Sequence, residues 1–147
     1  MSYDVRVEQV APRLLAVIRR RASQRELSTL VPALCGEVWK FVTAHQIDRP
    51  GRHVAIYLDG AINLEVGVEV GGAFPSADSV VPSATPAGTV ATVTHFGDYA
   101  KLCDAHAAVR EFCRRRGLTL AGPNWEIYGH MNDPRKVTTE VCYLVEP

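Results

Sequence analysis

The 147-residue sequence has no apolar run approaching the roughly 18 to 20 residues that a membrane-crossing helix needs, so no membrane partner is expected. It has no charge imbalance either, with 16 Lys and Arg set against 16 Asp and Glu. General nucleic-acid binders are usually strongly basic, so direct nucleic-acid binding is not expected. The first residues, Met1-Ser2-Tyr3-Asp4-Val5, lack the basic-then-apolar layout of a signal peptide, and the expected location is cytoplasmic. No Gly-rich phosphate loop, Gly-x-Ser-x-Gly elbow or Cys₂His₂ pattern occurs. The four cysteines, at 35, 103, 113 and 142, form no Cys-x-x-Cys pair. Each lies in an apolar periodic segment, which reads as a buried free thiol. Cys103, His106 and Cys113 are spaced more loosely than zinc ligands usually are, so no metal and no cofactor is expected.

What the sequence does have is a composition suited to a core: 47% hydrophobic residues and 22% charged. A chain of this length buries roughly 70% of its unfolded surface, which fits one domain over residues 1–147.

That domain reads as two similar halves. In the first, Val5-Arg6-Val7-Glu8 and residues 14–18 are strand-like. Residues 28–45 follow as a helix, with Val31, Leu34, Val38, Phe41 and Val42 at helical spacing. Ser28 or Thr29 is expected to cap it, with Pro32 in a first turn. Asp48-Arg49-Pro50-Gly51 is a turn. Residues 53–58 and 62–70 are strands joined by Asp59-Gly60, a strong hairpin signal. Pro75, Pro82 and Pro86 mark a connector, within which Ser79-Val80-Val81 can form a short edge strand. The second half repeats the order: a strand at 90–95, a helix at 98–116 capped by Asp98 and ended by Gly117, and strands at 125–128 and 137–145 joined through Asn132-Asp133-Pro134. The expected boundaries are module one at about 1–72, a connector at about 73–87 and module two at about 88–147.

Residues match as well as order. His53-Val54-Ala55-Ile56-Tyr57 lies against Asn124-Trp125-Glu126-Ile127-Tyr128, and Ile62-Asn63-Leu64-Glu65-Val66 against Val137-Thr138-Thr139-Glu140-Val141. The fold class expected is therefore α+β, a duplicated strand-helix-strand-strand module with antiparallel sheet and two main helices.

Strand alternation puts Glu126 and Tyr128 on one face and Trp125 and Ile127 on the other. On the last strand Val141, Tyr143 and Val145 share a face and match Val66, Val68 and Val70. Taking that face as inward, pseudo-symmetry gathers Tyr57, Tyr128, Tyr143 and Glu126, with Trp39 able to join from the first helix. A carboxylate among aromatic rings attracts a cation, and ring faces add about 0.5 to 2 kcal/mol of cation–π stabilisation. Desolvated, the same carboxylate is expected to have a raised pKa and to serve as a general acid or base. Glu65 and Glu69 lie opposite the valine face and are expected to meet water. His95 and His106 read as surface or satisfied core histidines, and the triplets Arg19 to Arg21 and Arg114 to Arg116 as solvated faces or helix-end charges.

Taken in order, Pro86-Ala87-Gly88, Gly97-Asp98-Tyr99, Arg116-Gly117, Trp125-Glu126-Ile127-Tyr128, Asp133-Pro134 and Thr139-Glu140-Val141-Cys142-Tyr143 resemble the GyrI-like small-molecule-binding family, also called the AraC-type effector-binding domain. The resemblance is clear over residues 86–147 and rests on layout before that. It implies two modules related by a pseudo-two-fold, with a central ligand cleft between them near the helices. The family's pocket glutamate falls on Glu126 and its Gly-x-Tyr tyrosine on Tyr99. Regulators with this domain often sense cationic, lipophilic, aromatic drugs and carry a separate DNA-binding segment. This sequence has no length for one and is expected to be a stand-alone member.

Three readings follow. The first is a binding protein for hydrophobic, cationic aromatic compounds, of the multidrug type, with Glu126, Tyr128, Tyr143, Tyr57, Tyr99 and Trp39 as ligand-binding residues. The second is a hydrolase that opens strained cyclopropane rings, resembling some stand-alone relatives, with Glu126 and Tyr128 (or Tyr143) as catalytic residues. The third is a gyrase-inhibitor-like module acting on an unidentified protein partner.

Overall fold

A computed structural model describes residues 3–59, 63–77, 79–129 and 137–147. The strands are β1 (Arg6–Val10), β2 (Leu14–Arg21), β3 (His53–Asp59), β4 (Asn63–Glu69), β5 (Val80–Ala84), β6 (Gly88–Phe96), β7 (Leu120–Tyr128) and β8 (Thr138–Val145). The helices are α1 (Leu27–Ala44) and α2 (Leu102–Arg116), each entered through a short 3₁₀ turn. The elements fall into two compact units, Pro12–Pro86 and Met1–Ala11 with Ala87–Pro147.

In the N-terminal unit the antiparallel order is β3-β4-β2-β5. β2 and β4 are the central strands. Their middle residues are buried without alternation, as expected of strands covered on both faces. α1 packs on β2 and β4 through Val31, Leu34, Val38, Phe41 and Val42, the stripe legible in the sequence. Its start differs from the expected Ser28 or Thr29 cap. Ser23 and Glu26 form a capping box one turn earlier, with the Glu26 carboxylate accepting from the Ser23 N–H at 3.0 Å. Pro32 consequently stands inside the helix, beyond its first turn.

The β3–β4 hairpin is closed by the Asp59 side chain. Its Oδ1 accepts the Asn63 N–H at 2.9 Å and its Oδ2 the Asn63 amide at 2.7 Å, which lowers the Asp59 pKa. Gly60 of the predicted turn and the strand start at Ile62 lie outside the described residues. Glu65 and Glu69 depart from the solvated role expected of them. Glu65 is buried, accepting from Ser83 Oγ on β5 at 2.5 Å and from Arg19 at 2.8 Å. Glu69 pairs with Arg13 at 2.9 Å and Arg52 at 3.1 Å. The reason is that β5 forms on the outer edge of β2, bringing Ser83 to the face that Glu65 shares with Arg19.

In the C-terminal unit the antiparallel order is β1-β6-β8-β7. β1 pairs with β6, so the first strand belongs here and not with the module that follows it in sequence. β7 carries a register shift between Leu120 and Asn124, where Pro123 has no N–H to give to a ladder. The α2 C-terminus is a Schellman motif. Gly117 takes φ 68°, and the N–H groups of Gly117 and Leu118 reach the carbonyls of Arg114 and Cys113. α2 packs on β6 and β8, where Ala91, Val93, Ala105, Val109, Cys113, Val141, Tyr143 and Val145 form one core. Each valine buried there contributes roughly 1.5 to 3 kcal/mol. The Asn132-Asp133-Pro134 link, which includes the Asp-Pro signal, lies outside the described residues.

The two units share strand order and register. Tyr57 faces Leu64 and Ile56 faces Glu65 as Tyr128 faces Thr139 and Ile127 faces Glu140. Ala55 faces Val66 as Glu126 faces Val141. These are the pairs that the residue match between the halves requires.

Not all cysteines are buried. Cys103 is exposed and Cys35 half-buried, while Cys113 and Cys142 are buried. Cys103 opens the first turn of α2 on the side away from the Ala105–Val109 seam, which the apolar pattern alone did not separate. Among the described residues no group of His, Cys, Asp or Glu is arranged to hold a metal ion, and no helix is long and apolar enough to cross a membrane.

Candidate functional site

The polar residues of the C-terminal unit converge on the face of the sheet that α2 covers. On α2, Ala105, Val109 and Cys113 point into the core. His106 and Arg110 each follow one of these seam positions and stand four residues apart, so they project from the same flank of the helix. On the strands, Glu126 is directly opposite Val141 and Asn124 opposite Tyr143. Glu126 and Tyr143 are therefore diagonal neighbours on the α2 face, and Tyr128 is the next residue along β7 on that face.

A chain of hydrogen bonds joins them. Arg110 Nη1 donates to the Tyr143 hydroxyl at 3.0 Å. That hydroxyl lies 2.7 Å from His106 Nδ1, and His106 Nε2 lies 2.6 Å from Glu126 Oε2. Tyr128 donates its hydroxyl to Glu126 Oε1 at 2.5 Å. Arginine only donates and an ionised carboxylate only accepts. With neutral His106, the chain closes in one sense: Tyr143 O–H gives to Nδ1, and Nε2–H gives to Glu126. The Glu126 side chain is 9% exposed and that of His106 15%. Tyr99, on the 3₁₀ turn before α2, meets the edge or face of the Tyr128 ring at 77° with centroids 5.8 Å apart. Burial raises the Tyr143 pKa; Arg110 opposes that rise and Glu126 adds to it. The phenol therefore remains a proton-bearing group in the physiological range.

The structure thus brings Glu126, Tyr128, Tyr143 and Tyr99 together in one unit. Tyr57 and Trp39 belong to the other. Tyr57 is buried on β3, and Trp39 is 42% exposed on α1 with its ring tilted against His53 at 5.8 Å. His95 is the satisfied core histidine anticipated, bonded to the Tyr3 hydroxyl at 3.0 Å and the Asp98 carbonyl at 2.9 Å. His106, placed in the same class, is likewise satisfied, and what the sequence did not give is that its partners are Tyr143 and Glu126, which puts it at the centre of the cluster. A signal for it exists: His106 and Arg110 flank the apolar seam at i,i+4, on a helix packed over the strand face that carries Glu126.

Several solved structures share this fold. The EcmrR C-terminal domain is 18% identical with a TM-score of 0.77, and the match covers 99% of each chain. Against EcmrR in its complex with DNA, the match spans 57% of that chain. SAV2435, solved bound to tetraphenylphosphonium, is 14% identical with a TM-score of 0.66, covering 99% of this chain and 94% of its own. A hydrolase from Listeria innocua is 12% identical with a TM-score of 0.62, covering 97% and 91%. At these identities the likeness is one of fold. No curated protein matches the sequence. The family model for the GyrI-like small molecule binding domain matches residues 3–146, and the chain belongs to that family.

Proposed function

We propose that this protein binds hydrophobic, cationic aromatic compounds, for sensing or sequestration, and that Glu126 is the group that recognises their charge. The observation carrying this reading is a buried glutamate, its side chain 9% exposed, bracketed by Tyr128 and His106, with Tyr99 against Tyr128. A desolvated carboxylate attracts a delocalised cation without the competition of bulk water, and ring faces add to that attraction. Arg110 sits at the far end of the hydrogen-bond chain, beyond Tyr143. The tetraphenylphosphonium held by SAV2435 is a ligand of this class, which supports the choice of probe.

The test is a fluorescence titration with rhodamine 6G and a competition titration with tetraphenylphosphonium, each against Glu126→Gln. Triphenylphosphine oxide serves as a neutral control of similar bulk. Loss of about tenfold or more for the cations, with the neutral compound little changed, is the expected result; tenfold corresponds to about 1.4 kcal/mol. Equal loss for both classes would remove the electrostatic role.

A second reading draws on the same cluster. Glu126 with the Tyr128 and Tyr143 hydroxyls supplies a base and a carbonyl-polarising donor, and these suit addition of water to a strained, electrophilic cyclopropane. Turnover of such a substrate by the wild type, absent in Glu126→Gln, would establish hydrolysis as the activity.

A further inference from the structure

We infer that β1 is a self-association edge: two copies of this chain pair there as antiparallel strands about a two-fold axis at Val7, with each Arg6 opposite Glu8 of the other copy. The inference stands on β1 and does not depend on the binding reading above.

β1 ends the strand order, and among the described residues its ladder is with β6. Its other edge therefore presents backbone N–H and C=O groups to solvent. Arg6, Val7, Glu8 and Gln9 are all exposed. Sheet edges are commonly blunted by proline or by charged side chains. β5, the edge strand of the N-terminal unit, has Pro82 in its middle. β1 has no proline, and its two charges are of opposite sign, with Arg6 Nε 3.0 Å from the Glu8 carboxylate along the strand. Charge of one sign repels a second copy in every register. A pair of opposite charges repels it in some registers and attracts it in another. The formal net charge of zero adds no general repulsion between copies.

The residues of the strand select that register. A two-fold axis normal to the sheet sets antiparallel copies so that one residue faces its own copy. Centred on Arg6, the strands put Arg6 against Arg6 and Glu8 against Asp4 of the other copy; centred on Glu8, they put Glu8 against Glu8. Centred on Gln9, they bring Pro12 into the ladder, where it has no N–H to give. Centred on Val7, each Arg6 faces a Glu8. The four charges then alternate around a square, opposite in sign along each strand and across the pair. The other face of the strand agrees. Val7 lies opposite Ala91 on the α2 side of the sheet and is 47% exposed. Tyr3, Val5 and Phe112 pack, partly buried, against the core beneath α2. Pairing Val7 with its copy continues that apolar surface across the join. Each copy has one such edge, so the contact closes as a dimer and does not grow.

The full chain is to be followed by analytical ultracentrifugation from about 10 µM to about 1 mM, where the wild type is expected to shift from one chain to two as concentration rises. Glu8→Arg and Arg6→Glu each set like charges at both cross-strand positions, and each should raise the dimer dissociation constant about tenfold or more. Both positions are exposed, and circular dichroism should show the fold retained. The two single variants mixed in equal amounts should recover the dimer, because one copy then offers two acidic side chains to two basic ones. One chain at every concentration, for wild type, variants and mixture alike, would mean that the charges only blunt the edge and would overturn the proposal. A dimer that survives both reversals, with no gain on mixing, would overturn the assignment to β1. The register has its own check in a Cys103→Ser background, which removes the exposed native thiol. Val7→Cys brings the two copies' Cα atoms within the roughly 4.4 to 6.8 Å that a disulfide spans, whereas Glu8→Cys leaves them diagonal at about 7 to 8 Å. Mild oxidation should link the first variant well and the second poorly. The reverse order would put the axis on Glu8 and overturn the register.

Discussion

The Tyr143 hydroxyl connects the two halves of the polar cluster, and Tyr143→Phe removes it with little other change. The ring stays in the core with Ala105, Val109 and Val141, so the substitution leaves no cavity. Two bonds are lost, the one to His106 at 2.7 Å and the one from Arg110 at 3.0 Å. The first joins partly buried groups and is worth about 1 kcal/mol. The second involves an exposed arginine, where solvent takes over much of the contact, so it adds a fraction of that. The sum is about 1 to 1.5 kcal/mol. For a chain of this size that is roughly 2 to 6 °C in Tm. Urea unfolding should show a lower midpoint at an unchanged m-value. A second signature concerns alkaline pH. Burial raises the Tyr143 pKa above its ordinary value of 10.0. A group raised in the folded state contributes stability that is present below its unfolded pKa and lost as pH rises through the folded one. The wild type should therefore lose stability above about pH 10, and Tyr143→Phe should lose less over that window. A late-titrating tyrosine seen at 295 nm in the wild type should also disappear. A variant with unchanged midpoint and an unchanged alkaline slope would refute the hydrogen-bond chain described here.

Two further substitutions test the frame that carries the site. At Gly67 an added Cβ would stand 1.7 Å from the Ala16 carbonyl oxygen and 2.8 Å from the Val17 Cα, both backbone atoms of β2. Gly67→Ala should therefore cost about 2 kcal/mol or more, and a midpoint within about 0.5 kcal/mol of the wild type would contradict that close approach. Thr139, fully buried opposite Tyr128, has a hydroxyl with no hydrogen-bond partner among the described residues. Thr139→Val keeps the shape and removes the unpaired group, so thermal unfolding should shift upward by about 1 kcal/mol of stability. A loss of similar size would mean that the hydroxyl is engaged.

Much of this frame was readable because it depends on short-range pattern. The α1 stripe, the Asp59 turn, the Asp98 and Gly117 ends of the second helix segment and the inward set of Val141, Tyr143 and Val145 all follow from spacing and local backbone chemistry. What escaped depends on partners distant in sequence. A period of two says which face β1 shows but not that it pairs with β6. Glu65 and Glu69 looked solvated because their cover comes from Ser83, Arg13, Arg19 and Arg52 on other strands and turns. His106 escaped for the same reason: its two partners lie 20 and 37 residues away, and a lone histidine on a helix carries no sign of either.

The matching registers of the two units separate the polar cluster from the frame that carries it. Shifting α2 onto α1 so that Ala105 falls on Leu34 and Val109 on Val38 places His106 on Cys35 and Arg110 on Trp39. The strand registers place Glu126 on Ala55 and Tyr143 on Val68. The N-terminal unit thus builds the same strand order around Cys35, Ala55 and Val68, and burial there pushes the Cys35 thiol up to about 11. A frame that closes with these residues needs no carboxylate, imidazole or arginine to hold it together. Burying a charged group is costly even when it is paired, and an apolar set of similar volume is often as stable or more so. The fold therefore does not explain Glu126, His106 and Arg110. Tyr57 and Tyr128, by contrast, occupy one position in both units, so a tyrosine there belongs to the frame, whereas the carboxylate of Glu126 is matched by Ala55. If that is right, replacing Glu126 and His106 together by Ala and Cys, the residues of the other unit, should leave stability within about 1 kcal/mol of the wild type while abolishing cation binding. Global unfolding of that pair variant would show that the cluster is structural after all.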